Sequence, residues 1–108
     1  TQVLEVDPDN VEALTYRAWL LVLISRSAGD EVKQLAFASA SSDLERAIAL
    51  DPNYPDAHCF LGITLFRLND DANGAKEQLT ICADKNPPAE VKSFVDAIVA
   101  EVDAALDK

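Results

Sequence analysis

The chain has 108 residues, 19 acidic and 9 basic side chains, a formal net charge of -10 and a composition that is 49% hydrophobic. That length and apolar content fit one domain with a real core. The acidity excludes a phosphate-backbone binder and disfavours anionic membrane surfaces, so no nucleic-acid partner is expected and a basic or neutral partner is electrostatically easier.

No stretch alternates apolar and polar residues between hairpin turns, so strands are not expected. Helical spacing recurs instead. The opening Val3-Leu4-Glu5-Val6-Asp7-Pro8 reads as the end of a helix, with residues 1–7 as its tail, and as the start of an excerpt from a longer protein. The first full helix is predicted from Val11 to about Ser27, capped by Asp9 or Asn10. Its middle, Trp19 to Ile24, is apolar on every side, which suits a helix packed on more than one face. Ala28-Gly29 ends it.

The second helix is predicted from Asp30 or Glu31 to Leu50, with Val32, Leu35, Ala36, Ala40, Leu44, Ala47 and Ile48 on one packing stripe. Asp51-Pro52 stops it, because the residue before proline avoids the helical region. The third starts near Pro55, a residue favoured in a first turn, and ends near Asn69. The fourth runs from about Ala72 to Lys85 and packs through Ala75, Leu79, Cys82 and Ala83. The fifth runs from Pro88 or Ala89 to about Leu106, with Val91, Phe94, Val95, Ile98, Val102 and Leu106 on one stripe.

Three segments end alike, at Asp7-Pro8, Asp51-Pro52 and Asn86-Pro87. Pro52 and Pro87 stand 35 residues apart, and Pro8 and Pro52 stand 44 apart. A period near 34 built from two antiparallel helices resembles the tetratricopeptide repeat. The second repeat matches that pattern at His58, Leu61-Gly62, Leu65, Ala75, Leu79, Cys82 and Pro87. The first matches at Leu14, Ala18, Leu21, Ala40, Leu44, Ala47 and Pro52, but Arg17 stands in a leucine slot and the repeat is longer. The resemblance implies an all-α fold in which antiparallel helix pairs stack as a right-handed superhelix. Residues 9–52 would be an extended first repeat, 53–87 the second, and 88–107 a capping helix with a polar outer face. Small residues such as Gly62, Ala75 and Ala40 would let paired helices approach closely.

Chemistry is sparse. No catalytic carboxylate pair, glycine-rich phosphate loop or nucleophile elbow is present, so neither enzyme activity nor a cofactor is expected. His58 has no second histidine and reads as a surface or half-buried structural residue. Asn69, Asp71, Asn73 and Gly74 open like a calcium loop, but Thr80 stands where the closing acid belongs, so a turn with Asp70 or Asp71 capping the next helix is the better reading and no metal is expected. Ser39-Ala40-Ser41-Ser42 reads as small residues at helix contacts. Cys59 and Cys82 lack zinc spacing and read as two buried reduced thiols, with a disulfide only if the helices bring them together.

The longest apolar run, Ala18 to Ile24, is too short to span a bilayer and no signal peptide is apparent. A cytoplasmic location is favoured, an extracytoplasmic one if an anchor precedes the segment. The family resemblance also places ligands on a concave face lined by the first helix of each pair. Its candidates here are Glu12, Thr15, Tyr16, Trp19, Val22 and Leu23, then Asp56, Cys59, Phe60, Ile63, Phe66 and Arg67. The lysine–asparagine–arginine clamp that some relatives use for a C-terminal carboxylate is missing, which leaves a groove suited to an apolar or basic peptide or helix. Two other roles remain open: a structural segment that self-associates as a homodimer through the apolar face, and an accessory domain of a bacterial membrane-anchored assembly factor, similar in style to those of cytochrome c maturation.

Overall fold

Asn10 starts the described structure by capping the first helix: its Oδ1 accepts the Ala13 N–H at 2.9 Å. The computed structural model describes residues 10–25 and 27–107, so the expected helix tail at residues 1–7 lies outside the described residues. Five α-helices follow in order: α1 (Val11–Ser25), α2 (Asp30–Leu50), α3 (Pro55–Asn69), α4 (Ala72–Asp84) and α5 (Ala89–Leu106). Beyond α1 the Ala28 N–H turns back to the Ser25 carbonyl at 2.9 Å. Asp71 caps α4 by accepting the Gly74 N–H at 2.9 Å, so its carboxylate serves the turn. Among the described residues no group of histidine, cysteine and acidic side chains is placed to hold a metal ion.

Short connections force neighbouring helices to run antiparallel. Each helix packs on the next in sequence, and α1 also meets α3, as α3 meets α5. The odd-numbered helices therefore lie side by side in one direction, backed by α2 and α4, a helical-repeat-like arrangement. The radius of gyration, 13.1 Å, is that of a compact chain of this length. No helix among the described residues is long and apolar enough to cross a membrane.

Helix α3 is central: every residue from Asp56 to Thr64 is buried. The small residues mark the closest approaches. Ala18, Ala40, Ala47, Ala75 and Cys82 are all 0% exposed. A Cβ on Gly62 would meet the Leu79 side chain at 2.7 Å and the Ala75 carbonyl at 3.2 Å, so α3 and α4 approach too closely for any larger residue there.

Five expectations need correction. Ala83 faces outward from α4 rather than packing, and only Ala75, Leu79 and Cys82 are buried there. Cys59 and Cys82 are not free thiols; they form a disulfide across the α3–α4 contact, with Cα atoms 4.9 Å apart and both residues fully buried. Val32 and Leu35 are exposed rather than packed, because the 21-residue α2 overhangs the 15-residue α1 by about two turns and nothing described lies beside the overhang. Phe94 is 58% exposed and Leu106 also faces outward, so the buried stripe of α5 narrows to Val91, Val95, Ile98 and Val102. In the serine cluster only Ala40 is buried and Ser41 half-buried, while Ser39 and Ser42 face outward.

His58 is structural but deeper than expected, at 6% exposure. Its Nε2 lies 2.9 Å from the Pro52 carbonyl, which only accepts, so that nitrogen carries a proton. Its Nδ1 meets the Gln78 side-chain amide at 2.9 Å. The ring thus ties the α2–α3 turn to α4.

Candidate groove on the odd-numbered helices

The faces of α1, α3 and α5 that look away from α2 and α4 share one register. On α1 the face carries Glu12, Tyr16, Trp19 and Leu23; on α3 Asp56, Phe60, Ile63 and Arg67; on α5 Glu90, Phe94, Ala97 and Glu101. Each set follows the i, i+4, i+7, i+11 spacing of a single helix face.

Aromatic rings connect the three helices. Trp19 stacks on Phe60, with centroids 4.5 Å apart and planes 8° from parallel. Tyr16 meets the same Phe60 edge-on at 5.4 Å, and Phe94 meets Trp19 edge-on at 6.2 Å. Such offset and edge contacts satisfy the ring quadrupoles and hold the side chains in place. Beside Trp19, between α1, α3 and α5, lies a cleft of about 190 Å³. Val22, Leu23, Ile63, Phe94 and Ile98 give it an apolar lining, and Arg67 and Glu101 close one end. Those two charges neutralise each other through a two-pronged pair at 2.9 and 2.6 Å. The hydrogen bond from Arg67 holds the Glu101 carboxyl below its ordinary range.

The opposite end is acidic. The Tyr16 hydroxyl donates to Asp56 Oδ2 at 2.6 Å, while Asp56 Oδ1 has no hydrogen-bond partner although the residue is only 4% exposed. Burial, and then Asp56 and Glu12, raise the phenols here: Tyr54 is pushed up to about 12, and Tyr16 is raised further.

Of the twelve candidate residues, Trp19, Val22, Leu23, Ile63 and Arg67 line the cleft. Glu12, Tyr16 and Asp56 gather at the acidic end, and Phe60 is the buried platform beneath Trp19. Thr15 and Cys59 do not reach the surface: Thr15 donates back to the Val11 carbonyl at 2.8 Å, and Cys59 is in the disulfide. Phe66 packs half-buried against the core, with the Arg67 guanidinium 5.5 Å from its ring centre. Phe94, Ala97, Ile98 and Glu101 complete the cleft and come from α5, a helix that supplied no sequence candidate. The i, i+7 spacing of Phe94 and Glu101 was the signal available for them.

No protein-family model matches the chain, and none of the curated proteins matches it in sequence.

Proposed function

We propose that this chain is a non-catalytic, tetratricopeptide-like interaction module whose α1–α3–α5 face receives an apolar segment of another protein. The observation that carries this reading is the open aromatic cleft, in which Phe94 is 58% exposed and Leu23 38% exposed beside Trp19. Large apolar groups gathered in an open cleft are characteristic of binding surfaces. The buried small residues at the repeat positions and the parallel odd helices support the tetratricopeptide assignment. That assignment implies that further helix pairs would extend the stack as a right-handed superhelix.

The test uses Trp19, the only tryptophan in the chain, as reporter. Apolar peptides selected from a display library should change its fluorescence, and Phe94→Ser should abolish their binding while leaving the helical circular dichroism intact. Undiminished binding by that variant would remove the cleft from consideration.

A second reading, self-association, draws on a different surface. Leu20 and Ile24 on α1 and Val32 and Leu35 on α2 flank the α1–α2 turn and are between 51% and 76% exposed. Sedimentation analysis separates the two readings: a dimer dissolved by Leu35→Asp favours the second, whereas a monomer at all concentrations removes it.

A further inference from the structure

The groove is electrically lopsided. Glu12, Asp56 and Glu90 are each the second residue of α1, α3 and α5, so the same end of all three helices carries a carboxylate on the groove face. Among the described residues no lysine or arginine pairs with any of them. Among the described residues the one cation on this face, Arg67, sits at the far end and is already neutralised by Glu101. An acid in a first helical turn is favoured by the helix dipole, which accounts for the exposed Glu12 and Glu90. It does not account for Asp56, which is nearly buried, has one oxygen without a hydrogen-bond donor and meets no counter-charge among the described residues. A carboxylate withdrawn from water in that state is costly, and a cation at the mouth of the groove would offset the cost.

We infer that the partner is a peptide segment pairing a basic side chain with an apolar anchor, laid along the groove with its cation among Glu12, Asp56 and Glu90 and its anchor in the cleft beside Trp19 and Phe94. This inference rests on the groove reading above and gives it a direction. Charge selects this occupant over a second copy of the chain, which would bring another formal charge of -10 to an acidic face. From Glu12 to Trp19 is seven residues of helix, about 10 Å. An extended segment covers that distance in about three residues, so the basic residue stands about three positions from the anchor.

The experiment compares short capped peptides that share a Leu-Phe anchor and carry, about three residues away, arginine, norleucine or glutamate. Binding is followed by Trp19 fluorescence and by calorimetry at low and high salt. The arginine peptide should bind about tenfold more tightly than the norleucine peptide, with the advantage shrinking as salt rises. Glu12→Gln with Glu90→Gln, both exposed positions, should shrink that advantage and leave the norleucine peptide unaffected. Equal affinity of arginine and norleucine peptides overturns the inference while the groove reading stands, as does a preference for glutamate. An arginine advantage undiminished by the double variant overturns the assigned end. If no peptide binds whatever its charge, the groove reading fails and this inference falls with it.

Discussion

Arg17 on α1 grips Asp43 on α2 with two hydrogen bonds, 2.8 Å from Nε and 2.6 Å from Nη2. The bond to Asp43 raises the guanidinium above its usual range. Arg17 stands where the tetratricopeptide pattern proposed for this chain would have leucine, and the ion pair accounts for the arginine: Asp43 is only 8% exposed and needs a cation. Arg17→Leu strands that carboxylate and should cost about 2 kcal/mol, at the low end for a broken buried pair because the arginine side chain is 34% exposed. Adding Asp43→Leu should restore most of the loss. Urea unfolding of the single and double variants checks this, and a double variant as weak as the single one contradicts it.

Gly62 should tolerate no side chain. Gly62→Ala forces a Cβ against Leu79 at 2.7 Å on a helix locked on all sides, and the overpacking should cost about 1–3 kcal/mol despite alanine's better helix propensity. A gain in melting temperature would show that α3 and α4 can separate at this point.

The Cys59–Cys82 bridge closes a loop with a sequence separation of 23 residues. Chain-entropy arguments assign such a loop about 3 kcal/mol of stabilisation. Unfolding with and without reductant should therefore differ by about that amount, and Cys59→Ala with Cys82→Ala should be insensitive to reductant. Free thiols on the unreduced, unfolded protein would refute the bridge.

Alkaline pH should weaken the fold through its tyrosines. An unfolded phenol releases its proton near pH 10, whereas folded Tyr54 holds it to about 12 and Tyr16 beyond that. Between those values the folded state binds more protons than the unfolded chain, so stability is complete below about pH 10 and falls as pH rises towards 12. Tyrosinate absorbance should rise late and together with unfolding. Tyr16→Phe should flatten the decline, and phenols ionising near pH 10 in the folded protein would overturn this account.

Much of the fold was legible because its punctuation is local. Proline at positions 52 and 55, Asp71 before α4 and the proline pair before α5 act on their own neighbours, and the helices begin or end there. The small residues were legible for the same reason, since close approach leaves few choices of side chain. What escaped depends on neighbours distant in sequence. Periodicity put Val32 and Leu35 on the stripe of α2 but not beyond the reach of α1. It marked Phe94 as apolar without showing that Trp19 would be its partner. It could not show that Cys59 and Cys82 face one another, because that depends on the rotation of α3 against α4. Thr15 looked like a groove residue by alignment, yet its hydroxyl is satisfied by its own helix and it can be buried without a partner.

The Cys59–Cys82 bridge also changes how the molecule comes apart. It encloses the α3–α4 turn at Asp70 and Asp71, where Asp70 adopts a left-handed conformation with φ of 52°. A protease that cuts this turn makes two pieces that remain one covalent object, dividing on a gel only after reduction. A cut at the α1–α2 turn leaves no such tether. The chain is therefore a thread with one closed loop, and a nick inside that loop leaves α3 fastened to α4 behind it.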